Sequence, residues 1–252
     1  MISRRAFLAV TAAGVAGAGL DACRVAAQEP KRGGTLRVLQ IEPAIGFNPA
    51  LEGTNWPETM RMVYNGLTDF NEKGDLVPGI ARSWTASEDA DAVTFRLTPG
   101  VQFHDGTPCT ADDVRFTFEM IADSKVASPM NVYVANLKSI ETPDKQTVTI
   151  RFSGPNVLFM PGVSAIGILP KHLWASGDPR KSQYLAQPIG TGPFKLKEWQ
   201  RGDHLTFVAN HDYFRKGRPY LDQVIFKVVS DAATGIQSVS YTHLTLPTIY
   251  SV

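Results

Sequence analysis

Between Val93 and Glu119 the chain reads VTFRLTPGVQFHDGTPCTADDVRFTFE. Val93, Phe95 and Leu97 alternate with polar Thr94, Arg96 and Thr98, the period-two pattern of a half-buried strand. Pro99-Gly100 breaks that strand, and Val101 and Phe103 are expected to start a second one. His104-Asp105-Gly106 supplies the φ > 0 residue that a tight turn needs. Thr110 stands three residues before Asp113, close to a capping box with Asp in place of the usual Glu or Gln. From Ala111 the period becomes helical, with Val114, Phe118 and Ile121 on one face. Strand, turn, strand and capped helix in so short a span form a structural module that holds no catalytic device.

The same reading extends along the chain. Thr35–Ile41 is expected to be a strand, followed by a loop over Pro43–Pro49. Pro57–Tyr64 is expected to be a helix, with Met60, Val63 and Tyr64 on its apolar side. Gly79–Trp84 reads as a short turn of helix or a strand edge. Val134–Glu141 and Thr147–Phe152 alternate as a strand pair about Pro143-Asp144, and Phe159–Ile166 is an apolar helical stretch. Phe194–Gln200 and His204–Ala209 form a hairpin turning at Arg201-Gly202-Asp203. Leu221–Val229 is a further strand, with Val224, Phe226 and Val228 on one face. Trp84, Phe95, Phe103, Phe116 and Phe118 fall on core positions of these periods. Strands outnumber helices in mixed order, which points to an α/β chain.

Several segments carry a family likeness in a fixed order. Gly33-Gly34-Thr35-Leu36-Arg37 comes first, then Phe47-Asn48-Pro49, Val63-Tyr64-Asn65-Gly66-Leu67, and Leu76–Trp84 with the module after it. Gly190-Thr191-Gly192-Pro193-Phe194 leads to Trp199, and Asn210-His211-Asp212-Tyr213-Phe214 leads to Pro219-Tyr220-Leu221-Asp222. From about Gly33 to Thr234 this series resembles family 5 of the extracellular solute-binding proteins, the peptide-, opine- and nickel-binding receptors of bacterial ABC importers. The resemblance implies a class II periplasmic-binding-protein-like fold, two α/β lobes around a cleft with an extra small lobe. On that layout residues 28–49 and 189–238 form an incomplete lobe I, and residues 50–188 form the additional small lobe. The second cleft-forming lobe would lie beyond Gln237, so the chain would hold roughly the first half of a receptor. In such a half, the strand over Val224–Val229 is expected at an unprotected sheet edge.

Both ends read differently from the body. Residues 1–27 combine a charged start with a short apolar run from Ala9 to Leu20, the organisation of a signal peptide rather than a membrane span. Ser3-Arg4-Arg5-Ala6-Phe7-Leu8 resembles a twin-arginine export signal. Val25-Ala26-Ala27 offers a cut before Gln28, whereas Leu20-Asp21-Ala22-Cys23 offers a lipobox that would anchor the protein through Cys23. Acidic Asp21 fits poorly beside a lipidated cysteine, which favours the cut and a periplasmic protein. At the other end, Val239–Thr248 reads VSYTHLTLPT, which back-translates to a DNA resembling a transposase-type sequencing adapter. Residues 239–252 are therefore expected to be a non-native tail.

Charge and composition narrow the partners. Removing Arg4, Arg5, Arg24 and Asp21 with the leader moves the formal net charge from +1 to −1. A nearly neutral body argues against nucleic acid, which demands a basic surface. The expected partners are a small solute (a peptide, an opine or a nickel complex) and, from the resemblance, the permease subunits of an ABC transporter in the inner membrane. A monomer is expected. No cofactor and no protein-bound metal are expected, because none of His104, His172, His204 and His211 has a partner at ligand spacing.

Catalytic motifs are missing from the sequence. There is no G-x-S-x-G elbow, and Gly190-Thr191-Gly192 lacks the lysine and spacing of a phosphate-binding loop. Cys109 has no activating base beside it in sequence. An exported α/β hydrolase is thus the weaker reading and a binding receptor the stronger. By position after the first strand, the ligand-binding candidates are Glu42, Ile45, Gly46, Phe47 and Asn48, with Asn55 and Trp56 beyond them. Trp56 either stacks on a ligand or packs in the core of the small lobe.

Overall fold

The computed structural model describes residues 30–40, 44–52 and 57–229. The leader, the tail from Val239, and Glu42, Asn55 and Trp56 lie outside them. The chain runs β1 (Thr35–Gln40), α1 (Pro49–Glu52), α2 (Pro57–Val63), β2 (Thr68–Phe70), β3 (Leu76–Pro78), β4 (Ala81–Ala86), β5 (Ala92–Leu97) and α3 (Ala111–Ala122). It continues through β6 (Leu137–Asp144), β7 (Thr147–Phe152), α4 (Phe159–Val163), α5 (Lys171–Trp174), β8 (Phe194–Gln200), β9 (His204–Ala209) and β10 (Gln223–Val228).

Two four-stranded sheets organise these elements. One has the order β1-β10-β9-β8 and the other β4-β5-β7-β6, with β2 and β3 forming a separate ribbon. β1 pairs in parallel with β10, from Thr35 opposite Gln223 to Gln40 opposite Val228, while β10, β9 and β8 are antiparallel neighbours. The expected edge position of the 224–229 strand is therefore overturned. β10 has β1 on one side and β9 on the other, so its backbone is paired along both edges.

The second sheet follows the alternation in the sequence. Val93, Phe95 and Leu97 of β5 and Val148, Ile150 and Phe152 of β7 are buried, whereas Arg96 and Arg151 are exposed. Helix α3 lays Val114, Phe118 and Ile121 on this sheet, all fully buried. The Phe159 ring packs against those of Phe95, Phe118 and Phe152 at centroid distances of 6.1, 5.7 and 4.9 Å. Rings at such angles and spacings add to the burial that each side chain already contributes. Phe103 joins this core, while Trp84 and Phe116 pack against it from half-buried positions.

Helix α3 is tied at its start. The Asp113 carboxylate accepts from the Thr110 N–H and hydroxyl at 2.8 and 2.9 Å, and its second oxygen accepts from the Lys171 N–H at 2.9 Å. One carboxylate thus closes the first turn of α3 and fixes the entry of α5.

One expectation is decided and one changes. Of the two readings of Gly79–Trp84 the strand edge holds: from Ala81 it forms β4, an edge strand with a register shift between Ala81 and Ser83 that obscures its alternation. Val101 and Phe103 are buried but start no second strand. The chain turns back at Gly106, where φ is +85°, and only an isolated bridge between Gln102 and Pro108 forms.

Candidate functional site

The loop that leaves β1 carries most of the sequence candidates. Ile45 is 62 % exposed, whereas Phe47 and Asn48 are 0 % exposed. Phe47 packs edge-on against Trp199 and Phe207, with centroids 5.4 and 6.1 Å away, and its carbonyl accepts from the Tyr64 hydroxyl at 2.9 Å. Burial pushes the Tyr64 phenol far above its ordinary value. Asn48 Oδ1 accepts from the Ala50 N–H at 2.8 Å, so Asn48 caps the short helix α1 ahead of Pro49. A Cβ on Gly46 would stand 2.9 Å from Glu52 Oε1, and burial raises that carboxyl. The four described candidates therefore share one loop, in which Ile45 faces solvent and Phe47 and Asn48 hold the loop in place.

A second set of contacts joins the loop region to the central module. Gly192 N–H donates to the Val63 carbonyl at 2.7 Å, and the Gly190 carbonyl accepts from His104 N–H at 2.8 Å. A Cβ on Gly190 would lie 2.1 Å from Val63 O, and one on Gly192 2.4 Å from Met62 O. Only glycine permits so close an approach. This segment is a strand entry packed on the end of α2.

His104 sits in the same seam. Its Nε2 is 3.0 Å from the Gly192 carbonyl, and its Nδ1 accepts from Gly190 N–H at 3.4 Å. The neutral ring with the proton on Nε2 satisfies both partners. Burial, with Lys195 adding to it, lowers the imidazole pKa to about 4. His172 Nε2 stands 2.8 Å from Asp105 Oδ2. Burial works to raise that carboxyl, but hydrogen bonds from Thr107 and His172 outweigh it and hold it below its usual range. Cys109 is buried, and desolvation pushes its thiol well up, the opposite of an activated nucleophile.

A cavity of about 320 Å³ opens where the turns before β8 and β10 meet the 60–69 segment. Met60, Tyr64, Phe194 and Leu221 give it apolar walls, and Arg61, Arg215 and Arg218 bring three guanidinium groups to it. Arg215 donates to Asp69 Oδ2 at 3.2 Å and to the Pro78 carbonyl at 2.7 Å. Among the described residues no group of three or more His, Cys, Asp or Glu is placed to hold a metal ion.

The model of the bacterial extracellular solute-binding proteins, family 5, matches residues 75–240. The chain belongs to that family. Relatives include the oligopeptide-binding protein AppA of Bacillus subtilis, 33 % identical over 223 residues, covering 86 % of this chain and 41 % of AppA. The heme-binding protein A of Haemophilus influenzae is 32 % identical over 216 residues, covering 75 % of this chain and 39 % of that protein. The structure of Bacillus subtilis AppA in complex with a nonapeptide superposes with a TM-score of 0.80 at 31 % identity, over 85 % of this chain and 44 % of that one. NikZ of Campylobacter jejuni in complex with Ni(L-His) gives 0.78 at 30 % identity, over 82 % and 42 %. The fold is thus the α/β fold of the class II periplasmic binding proteins. The chain spans about two fifths of the length of these relatives.

The sequence proposes the loop after β1 and does not single out the cavity. Its lining comes from positions as far apart as Arg61 and Arg218, and no periodicity links them. The tight Arg215–Asp69 pair is likewise 146 positions apart.

Proposed function

We propose that the complete protein is the exported solute-binding receptor of an ABC importer. It captures a peptide or a similar small solute, such as an opine or a nickel complex, between two lobes and delivers it unchanged to the permease. The family match over residues 75–240 carries this reading, and the nonapeptide and Ni(L-His) named for similar structures set the range of solutes. Residues 28–49 and 189–238 are assigned to lobe I and residues 50–188 to the small lobe. The loop after β1 is assigned to the wall of the cleft on lobe I, with Ile45 facing the solute while Phe47 and Asn48 support it. Glu42, Asn55 and Trp56, outside the described residues, are assigned to the solute by sequence position alone.

Placement of the loop supports this. β1, β10 and β8 run in the same direction, and the 44–48 segment returns from the carboxyl end of β1 to pack Phe47 on Trp199 near the carboxyl end of β8. Carboxyl ends of strands are where open α/β sheets present ligands. A hydrolase reading has no such support, since His104 is spent on backbone groups and the Cys109 thiol is buried and protonated.

The test is a titration of the complete gene product against peptides, nickel–histidine and opines, read by thermal unfolding. A ligand at a hundredfold its Kd that binds only the folded state adds about 2.7 kcal/mol. Stabilisation by at least one class with the ligand recovered intact is expected. No stabilisation by any of them, or release of an altered ligand, defeats the reading. Residues 28–252 alone are expected to bind none with receptor affinity, because a closing cleft buries its solute from both sides. Export is assigned to the twin-arginine route with a mature start at Gln28. Replacing Arg4 and Arg5 by lysine should stop export of a reporter fusion, and a lipidated Cys23 in mass spectra would move the anchor to the membrane.

A further inference from the structure

The cavity beside Arg61, Arg215 and Arg218 lies at the amino-terminal ends of β8 and β10, at the other end of β8 from Trp199, with Pro49 and Tyr64 between it and the loop after β1. We propose that it is a second small-molecule site, built for a carboxylate carried on a compact apolar body such as a one-ring aromatic acid.

Its wall is preformed. Gly79 N–H donates to the Leu67 carbonyl at 3.1 Å and Ile80 N–H to the Gly66 carbonyl at 2.9 Å. A Cβ on Gly66 would stand 2.8 Å from the Val163 and Ser164 carbonyls, and one on Gly79 would stand 2.5 Å from Gly66 O. Backbone packed this closely cannot fall inward to fill the space. The cavity therefore persists as a recess of about 320 Å³, the lower end of the range of roughly 300–1,000 Å³ typical of ligand pockets.

Its polar groups are left open for an occupant. Thr68 lines the cavity at 1 % exposure, but its hydroxyl is sealed from the cavity and is not a contact for an occupant. The Tyr213 hydroxyl accepts from Asn65 Nδ2 at 3.2 Å and keeps its own proton to give. Three guanidinium groups reach the lining against one carboxylate, Asp69, which is already held by Arg215. Arg61 and Arg218 have no acidic partner among the described residues, and both are exposed at the rim. Arg218 is held over the Tyr220 ring at 4.7 Å, which fixes its place. The Tyr213 hydroxyl, exposed arginines without an acidic partner and apolar side chains together match an acid head on an apolar body.

Phenylacetate and its neutral analogue phenylacetamide test this on the complete gene product by isothermal titration. Phenylacetate should bind saturably and the amide at least tenfold more weakly. The double variant Arg61→Gln/Arg218→Gln, at exposed positions, should lose tenfold or more in phenylacetate affinity and keep its circular dichroism spectrum. Tyr213→Phe should weaken binding several-fold at unchanged shape. Both variants should leave binding of the transported solute at its original affinity, which separates this site from the cleft. Equal binding of acid and amide, undiminished binding by the double variant, absence of phenylacetate binding, or a crystal structure with later residues of the chain filling the cavity overturns the proposal.

Discussion

The Tyr64 hydroxyl donates to the Phe47 carbonyl oxygen across 2.9 Å, joining the residue after α2 to the loop that leaves β1. Both residues are buried, so water cannot replace the bond. The loop proposed to face solute is thus fastened from beneath by a residue that also walls the cavity.

Tyr64→Phe removes that donor while keeping the ring. Leaving the Phe47 carbonyl unpaired in the interior should cost about 1–3 kcal/mol in denaturant unfolding. In the complete protein, solute affinity should fall with it if the loop needs this support. A variant as stable as the parent would show that the carbonyl finds another partner.

Asp113 holds three donors from two helices, so Asp113→Ala should cost about 2–4 kcal/mol. Asp112→Ala is the comparison. Among the described residues its exposed carboxylate pairs only with Arg115 three residues on, and its loss should stay within about 1 kcal/mol. Equal losses at the two positions would remove the tie assigned to Asp113.

His104 gives the fold a pH dependence of known sign. Its folded pKa of about 4 lies below the ordinary 6.5, so the unfolded chain binds the extra proton first as pH falls. Stability supplied by the neutral ring is complete above pH 6.5 and is lost progressively from there towards pH 4. For a partly exposed ring the loss should be on the order of 1–3 kcal/mol. His104→Gln should be less stable at neutral pH and should lack this share of the acid slope. Parallel stability profiles for parent and variant between those pH values would show that His104 is not the titrating group.

Gly190→Ala places a methyl 2.1 Å from the Val63 carbonyl, with backbone on both sides of the contact. A loss of roughly 3 kcal/mol or more is expected, enough to remove cooperative unfolding in a marginal chain. Gly154→Ala, with nothing within 4 Å of the added carbon, should be close to neutral.

Much of the fold was legible because burial enforces period. The alternation of Val93, Phe95 and Leu97 and the helical spacing of Val114, Phe118 and Ile121 each describe one buried face, and both faces meet at Phe159. The β8–β9 hairpin was legible from the turn at Arg201-Gly202-Asp203. β4 was left between a helical turn and a strand edge, since an edge strand with an irregular register shows no clean alternation. For the site, sequence position proposed the loop after β1 but could not tell Ile45, which is exposed, from Phe47 and Asn48, which are sealed. Asn48 followed by Pro49 is a readable helix start, and that signal argues for a cap over a ligand contact. Arg61, Thr68 and Arg218 left no trace because only tertiary folding brings them together.

β1 and β10 are neighbours in the sheet although Thr35 and Gln223 are 188 positions apart in the chain. At a synthesis rate of roughly 5–20 residues per second, β1 waits on the order of 10–40 s before its partner exists. The antiparallel sheet of β4 to β7 needs no residue beyond Phe152 and has all its strands well before that moment. The nascent protein therefore matures from the middle outwards, and its first strand is among the last to find a place. Through that interval β1 has little apolar surface to hide, since Leu36 is 47 % exposed even in the folded chain and none of the strand's six residues is buried.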